Sequence, residues 1–266
     1  MGGGACGFRV VASMRNLGKA GPLREAAQGE RLSLEVAPLD VTDAASIEAL
    51  LSRIEVPDVL VNNAGIGGAA PLEVLSEADH RAIFDTNYFG AVAMMRAVIP
   101  GMRERGSGHI VNISSGAGRY PTPNQAAYAA SKHALECVSE SVANELAPFG
   151  VHVSIIEPGI VKTAIFDSSS GYWDKQSPYK NMIRRHTKLC QAGLADPGLP
   201  EDVARLIVEV AQSERPPLRV IAGEDARQLI EGRQKMSDED WVALGGELSD
   251  DEYARRFEAF FGIALP

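Results

Sequence analysis

The chain has 266 residues, of which 45% are hydrophobic, and it carries a formal net charge of −9 at pH 7. This length suits one large α/β domain or at most two small ones, and the hydrophobic content excludes a disordered chain. The negative charge argues against nucleic acid or an anionic membrane as the main partner.

The cysteine content and the first residues predict the compartment. The three cysteines lie far apart and show neither metal-ligand spacing nor a disulfide framework, which favours a reducing environment and no bound metal. No basic stretch followed by an apolar core comes after Met1, and no apolar run approaches the ~18 residues that a membrane span needs. We therefore expect a soluble, cytoplasmic, globular protein.

Stretches typical of strands alternate with stretches of helical periodicity along the chain. The predicted strands are residues 8–13, 32–39, 58–61, 109–113, 151–156 and 218–221. The predicted helices are residues 19–28, 43–54, 76–105, 125–147 and 201–212, and residues 160–199 are predicted to be less regular. Strands separated by helices imply a parallel sheet covered on both faces, and right-handed crossovers then give a doubly wound α/β fold.

The last part of the chain differs from the rest in composition. Residues 224–266 are acidic and poor in β-branched residues, and they contain five aromatic side chains: Trp241, Tyr253, Phe257, Phe260 and Phe261. This composition predicts a helical extension that docks through its aromatic residues. We therefore divide the chain into a domain at residues 1–223 and an extension at residues 224–266.

The segment AAYAASKHALE carries the strongest chemical signal. Tyr128 and Lys132 are four residues apart in a predicted helix, so their side chains lie on one face. A phenol has a reference pKa of ~10, and a nearby ammonium lowers it; a change of about three units requires roughly 4 kcal/mol. In isolation this spacing more often marks an ordinary pair on a helix surface.

Further polar motifs follow the ends of other predicted strands. Ser115 lies thirteen residues before Tyr128, directly after the strand GHIVNIS, and a hydroxyl there can donate to a carbonyl oxygen. Ser114 is the alternative serine, and the thirteen-residue distance favours Ser115. The segments NNAG at 62–65, DTNYFG at 85–90 and EPGIVKT at 157–163 are placed similarly. Ligands bind at the carboxyl ends of parallel strands, so these motifs predict one site.

In this order and spacing the motifs resemble the short-chain dehydrogenase/reductase family, in its compact single-domain branch. The resemblance runs from about Phe8 to Ile221. The segments VNNAGIGGAAPLE and SGHIVNISSGAG are similar to those of members that act on retinoids and hydroxysteroids. It implies a Rossmann-type doubly wound parallel sheet. It also implies an NAD(P)-dependent oxidoreductase that interconverts an alcohol and a ketone or aldehyde.

The resemblance also implies roles for individual residues. Tyr128 would be the general acid and base, Lys132 would lower its pKa and bind the nicotinamide ribose, Ser115 would polarise the carbonyl, and Asn87 would hold a water behind Lys132. The residues implied to bind the cofactor are Asp40, Val41, Asn63, Ala64, Gly65, Tyr128, Lys132, Pro158, Gly159, Val161 and Thr163.

The end of the first predicted strand, VVASMRN, bears on the choice of cofactor. An acidic residue there would bind the ribose 2′-hydroxyl of NAD. The chain has Ser13, Met14 and Arg15 instead, and an arginine suits a 2′-phosphate. The sequence therefore predicts NADP, with NAD as the alternative; the other interpretation of Arg15 is an exposed surface arginine.

The opening MGGGACG imitates a phosphate-binding glycine loop. Gly2, Gly4 and Gly7 fit G-x-G-x-x-G, but only Met1 precedes them and a strand-like stretch follows, so the required strand–turn–helix context is lacking. The family's opening strand, T-G-x-x-x-G-I-G turn and first helix are therefore expected to be absent. That strand is central in the expected order 3-2-1-4-5-6-7. A start further upstream, a damaged reading frame and a relic that binds cofactor poorly are the three explanations.

The irregular stretch at residues 160–199 predicts a loop over the substrate. Its apolar residues favour a bulky apolar alcohol or carbonyl compound, or they pack the loop or a subunit contact: Ile165, Phe166, Tyr172, Trp173, Tyr179 and Met182. The alternative function is a truncated, non-catalytic scaffold with impaired cofactor binding, and a weaker one is an isomerase or epimerase. The resemblance further implies a homodimer or homotetramer.

Overall fold

Parallel strands alternate with helices in the computed structural model, which describes residues 7–163, 165 and 176–266. The strands are β1 (Val10–Met14), β2 (Leu34–Pro38), β3 (Val59–Asn62), β4 (Gly108–Ile113), β5 (Val151–Pro158) and β6 (Arg219–Ala222). The helices are α1 (Gly21–Gly29), α2 (Ala44–Leu51), α3 (Glu77–Phe84), α4 (Ala91–Arg105), α5 (Ala126–Leu146), α6 (Lys180–Ala195), α7 (Pro200–Gln212), α8 (Glu224–Lys235), α9 (Asp238–Leu244) and α10 (Asp250–Phe261).

The strands form two separate parallel sheets. β1 pairs with β2, and β3, β4, β5 and β6 form a four-stranded sheet in that order. No strand of the described chain is hydrogen-bonded between β1 and β3, and each of these two strands lies at a sheet edge. Val61 of β3 is 39% exposed, which is unusual for an apolar residue of a parallel strand.

One apolar core joins the two sheets. Ala37 of β2 belongs to the same buried cluster as Leu60 and Ile110 of the larger sheet, with Val11 packed against it. Helix α4 covers this cluster with four buried side chains: Met94, Met95, Val98 and Met102. The sheets are therefore held by shared packing and not by a continuous hydrogen-bonded ladder.

A buried amide network ties β3, β4 and α5 together. Asn62 Nδ2 donates to Asn112 Oδ1 at 2.8 Å, and Asn112 Nδ2 donates to Ser139 Oγ at 2.8 Å. The two asparagines are directly opposite each other in the parallel register. This contact ties the two neighbouring strands, and it fixes the end of β3 from which the NNAG segment leaves.

The last two helices, α9 and α10, pack against Tyr120 through aromatic contacts. Tyr120 lies edge-on to Trp241 and Phe261, with ring centres 5.4 and 5.5 Å apart. Phe257 is 0% exposed and lies 4.5 Å from the Phe261 ring centre. The side chain of Ser249 caps the first turn of α10 by accepting from the Glu252 amide. These residues lie where the sequence predicts a docked helical extension.

Two stretches differ from the sequence-based assignment. Residues 160–199 were predicted to be less regular, yet they contain the 16-residue helix α6. Its start is hidden in the sequence because Tyr179 precedes it without a capping side chain, while the buried Ile183 supplies the helical apolar face. Phe166, Tyr172 and Trp173 of the predicted substrate loop lie outside the described residues. Residues 76–105 form two helices separated by a π-helical turn, Asp85–Gly90.

No helix within the described ranges combines the length and apolarity required to cross a membrane. In the same ranges His, Cys, Asp and Glu side chains form no cluster able to hold a metal ion.

Replacing Phe257 by alanine should weaken the docking of the last helices. The fully buried ring would leave a cavity, which costs about 3–5 kcal/mol of unfolding free energy. Phe260, half-buried on the same helix, is the matched control, and its alanine variant should lose less. Urea unfolding followed by circular dichroism measures both, and equal losses would contradict the packing described for Phe257.

Candidate active site

The polar residues predicted from the sequence gather after β3 and β4 and at the start of α5. Ser115 follows β4 with an extended backbone and begins a 3-10 turn, Gly116–Gly118. Its Oγ accepts a hydrogen bond from the Ala117 amide at 3.1 Å. The same side chain lies close enough to the Tyr128 hydroxyl to affect its pKa, so the strand end and the helix meet at these two hydroxyls.

Lys132 lies one helical turn after Tyr128 and is buried. Its Nζ donates to the carbonyl oxygen of Ile113 at 2.8 Å and lies 5.9 Å from the centre of the Tyr128 ring. The structure thus brings Ser115, Tyr128 and Lys132 together, as their spacing predicts. Ser114, the neighbouring serine, has a buried hydroxyl with no hydrogen-bond partner among the described residues.

Burial governs the titration of both helix residues. It raises the pKa of Tyr128 above its ordinary value, and the Ser115 side chain opposes this only in part. Burial also lowers the pKa of Lys132, to about 8, with Glu136 acting in the opposite direction.

Asn87 lies in the π-helical turn, a local irregularity that often accompanies functional sites. Its Oδ1 accepts from the Ile66 amide at 2.8 Å, and its Nδ2 donates to the Ile66 carbonyl oxygen at 3.0 Å. The Nδ2 also donates to Ser131 Oγ at 3.1 Å. Asn87 therefore fastens the loop after β3 to helix α5. Sequence reasoning missed Ser131, although it directly precedes Lys132.

Gly65 lies over the polar groups of the site. A Cβ at this position would lie 3.4 Å from Asn87 Oδ1 and 3.7 Å from Lys132 Nζ, so a side chain would fill the space above them. An ammonium group has three N–H donors, and Ile113 takes one of them. The space left by Gly65 and the remaining donors suit a ligand with hydroxyl groups, such as the ribose of a nicotinamide cofactor. Asn63 and Ala64 are exposed beside it.

Arg15 and Asp40 follow β1 and β2 in the smaller sheet. Asp40 accepts from Thr42 Oγ1 at 2.7 Å and from the Thr42 amide at 3.0 Å, and these bonds lower the pKa of Asp40. The charge of Arg15 adds a smaller lowering, so the two residues lie near each other. Val41 packs against Gly90 of the π-helical turn, where a Cβ would come within 2.6 Å of the valine.

The Pro158–Gly159 segment leaves β5 and is held by a residue that the sequence reasoning missed. Asp225, in the first turn of α8, accepts from the Ile160 amide through Oδ2 at 2.6 Å. A Cβ on Gly159 would lie 2.0 Å from Asp225 Oδ1, so a side chain there would displace the carboxylate. Further along, Val161 forms a parallel bridge with Gly198, and Thr163 is exposed.

A family model, described as short chain dehydrogenase, matches residues 4–171 of the chain. The chain belongs to the short-chain dehydrogenase family. This confirms the resemblance seen in the motifs, and it supports NAD(P)-dependent oxidoreduction of alcohols and ketones as the general activity.

Curated relatives extend this assignment. Human retinol dehydrogenase 8 is 44% identical over 227 residues, which cover 80% of this chain and 71% of that protein. Human 17-beta-hydroxysteroid dehydrogenase type 1 is 36% identical over 244 residues, covering 85% of this chain and 72% of that protein. The predicted similarity to retinoid and hydroxysteroid enzymes is thereby confirmed.

Solved structures confirm the Rossmann-type α/β fold of this short-chain dehydrogenase. A short-chain dehydrogenase from Streptomyces avermitilis matches with a TM-score of 0.76 and 34% identity, covering 92% of this chain and 89% of that one. A closed form of serine dehydrogenase complexed with NADP+ matches with a TM-score of 0.68 and 29% identity, covering 82% and 85% of the two chains.

Replacing Asn87 by alanine should free the loop after β3. Loss of the carboxamide leaves the amide and carbonyl groups of Ile66 without their partner, which costs about 1–3 kcal/mol. Hydrogen–deuterium exchange at the Ile66 amide should become faster. Ser131→Ala, which removes only the third bond of Asn87, is the control and should leave this exchange nearly unchanged; unaltered exchange in Asn87→Ala would refute the assignment.

Proposed function

We propose that this short-chain dehydrogenase interconverts an alcohol and a ketone or aldehyde on a bulky apolar substrate, with NADP as its cofactor. The observation that carries the proposal is the meeting of three groups with complementary chemistry: the Ser115 hydroxyl, the Tyr128 phenol and the Lys132 ammonium. Together they can bind a carbonyl oxygen and exchange a proton with it.

The chemistry divides between cofactor and protein. When bound, the nicotinamide supplies or accepts the hydride. Ser115 donates a hydrogen bond to the substrate oxygen, and Tyr128 gives that oxygen its proton in reduction or removes it in oxidation. Lys132 stabilises the resulting phenolate and binds ribose hydroxyls through its free N–H donors. Asn87 holds the loop at Gly65, which would contact the cofactor.

The titration of these groups favours the reductive direction at neutral pH. Because burial raises the pKa of Tyr128, the phenol keeps its proton and is ready to act as an acid. Lys132, with a pKa of about 8, carries its positive charge at neutral pH and loses it in alkaline solution. Phenolate stabilisation by Lys132 is therefore available below about pH 8.

A cavity of about 230 Å³ supports an apolar substrate. Tyr120 and Pro123, on the segment between Ser115 and Tyr128, form one wall, and α6, α9 and the start of α10 supply the others. Burial lowers the pKa of His186 in this wall to about 4, so its imidazole is neutral at physiological pH. Apart from Arg185 and His186, the lining is aromatic and apolar, which suits a hydrophobic substrate body.

The NADP preference rests on Arg15. The side chain is exposed at the carboxyl end of β1, where its guanidinium can pair with a 2′-phosphate. Asp40 beside it would meet the adenine. Val41, Asn63, Ala64, Gly65, Pro158, Gly159, Val161 and Thr163 complete the proposed cofactor contacts.

A non-catalytic scaffold is the second candidate. The observation that favours it is the split sheet, because β1 and β3 present unpaired edges where the described chain offers no backbone cradle for a pyrophosphate. Such a protein would keep the fold and bind nicotinamide cofactors weakly or not at all.

We also propose assembly as a homodimer or homotetramer in the cytoplasm. Leu72, which precedes α3, and Phe89, in the π-helical turn that carries Asn87, are exposed apolar residues that offer a surface for such a contact.

Tyr128→Phe should abolish turnover and spare cofactor binding. Removing the proton donor should lower kcat for reduction of bulky apolar aldehydes and ketones by about 10²–10⁴-fold. NADPH fluorescence measures binding in parallel. Tyr88→Phe, which removes another half-buried phenol oxygen, should keep wild-type turnover. Wild-type protein that neither binds NADPH nor reduces any of these substrates would favour the scaffold.

Arg15→Glu should reverse the cofactor preference. The carboxylate repels a 2′-phosphate and can accept from the 2′-hydroxyl of NADH. We expect the ratio of NADPH to NADH affinity, measured by fluorescence titration, to fall at least about tenfold, equivalent to about 1.4 kcal/mol. Arg9→Glu, an exposed charge reversal just before β1, controls for net charge, and an equal effect there would refute the role of Arg15.

A further inference from the structure

Four charged side chains lie together behind the segment that carries Ser115. Arg119, just after the 3-10 turn, contacts Glu157 of β5 with 3.2 Å between Nη1 and Oε1. Arg219 of β6 places its Nε 3.0 Å from Glu136 Oε2 and 3.4 Å from Glu157 Oε1. These four residues, Arg119, Glu136, Glu157 and Arg219, form an ion cluster that joins β5, β6 and α5.

The two carboxylates of the ion cluster are deeply buried. Glu157 is 0% exposed and Glu136 is 4% exposed. Each keeps one oxygen, Oε1 of Glu136 and Oε2 of Glu157, without a hydrogen-bond partner in the described part of the chain. Burying carboxylates is costly even when arginines pair with them, so the ion cluster is weak evidence for added stability.

Glu136 is also connected to the active site. It follows Lys132 by one helical turn on the buried face of α5. Lys132 Nζ holds the carbonyl oxygen of Ile113, while a Cβ on Gly118 would lie 3.0 Å from Glu136 Cγ and 3.3 Å from its Oε1. The two side chains therefore lie against opposite ends of the segment 113–118, with Ser115 between them.

We propose that Glu136 is a positioning residue of the oxidoreductase site, which holds the Ser115 segment and keeps a negative charge one helical turn from the Lys132 ammonium. The inference rests on the proposed function, since the charge of Lys132 affects turnover only if Tyr128 exchanges a proton with the substrate.

The charges around Lys132 and Glu136 determine whether loss of the Glu136 charge raises or lowers the pKa of Lys132. Lys132 faces Tyr128 and Glu136 on its own helix, and the neutral Asn87 and Gly65 on the other side. Glu136 faces Arg219, and Glu157 with Arg119 lies beyond it. Burial and then Glu136 raise the pKa of Glu157, while Glu136 opposes the lowering of the Lys132 pKa. Without the Glu136 charge, Lys132 should lose its proton at lower pH.

The helix supplies a matched control. Glu140 lies one further turn along α5 and also contacts Arg219, with 3.0 Å between its Oε2 and Nη2, but 61% of its side chain is exposed. Glu140→Gln therefore removes one carboxylate charge from Arg219 in the same way as Glu136→Gln. It does so at a solvent-exposed position, two helical turns from Lys132.

The test is a pH titration of the full chain by NMR, using ¹³C-labelled lysine, with the Lys132 signal identified by its loss in Lys132→Arg. We expect a midpoint near pH 8 in the wild type, a midpoint lower by about one pH unit in Glu136→Gln, and no movement in Glu140→Gln. The alkaline limb of kcat for NADPH-dependent carbonyl reduction should move down in pH together with the midpoint. An unmoved Lys132 midpoint in folded Glu136→Gln would overturn the proposal.

The two proposals fail separately. A lowered midpoint in a protein that reduces no carbonyl compound supports the coupling and refutes the proposed function. An active wild type with unmoved midpoints refutes the coupling alone. If Glu136→Gln does not fold, Glu136→Met serves instead, because its side chain fills a similar buried volume without a charge. The Lys132 midpoint should then be lower than in the wild type, and an unmoved midpoint would overturn the proposal.

Discussion

The candidate active site is organised around a buried ammonium group. The side chain of Lys132, on α5, is buried, and burial lowers the pKa of its ammonium group well below the ordinary value of a lysine. The Ile113 carbonyl oxygen and the Glu136 carboxylate counter this by supplying an acceptor and a negative charge. The hydrogen bond to Ile113 attaches the lysine to the strand that ends just before Ser115, so it also fixes the distance between the serine and the helix.

The split sheet makes the two halves of the proposed cofactor site unequal. The nicotinamide half is supported by the Asn62–Asn112 bond, by Asn87 and by Asp225, each of which joins different elements. The adenine half, with Arg15 and Asp40, belongs to a two-stranded sheet that meets the rest through apolar packing in the shared core. Apolar packing is not directional, so the relative position of the two halves is less strictly specified than the geometry within either.

The sequence predicted contacts between residues that are close along the chain, and it did not predict contacts between distant residues. Tyr128, Lys132 and Ser115 could be found because helical periodicity and strand ends place them together without knowledge of the fold. Arg219 and Asp225 could not, because their partners Glu136 and Ile160 are 83 and 65 residues away, and no local pattern joins them. Helix α6 was missed because its first residue lacks a cap, and the raised pKa of Tyr128 depends on burial, which spacing does not reveal.

Glu136 and Glu140 look equivalent in the sequence, but they differ in burial and therefore in how strongly their charges act. Both are glutamates on one face of α5, and both contact Arg219 at 3.0 Å. Water and salt screen the charge of the exposed Glu140, so its effect fades within about a Debye length of ~10 Å. The buried Glu136 is screened far less, and its field acts on Lys132 across a single turn. An ion pair of modest stabilising value can in this way have a large influence on proton transfer.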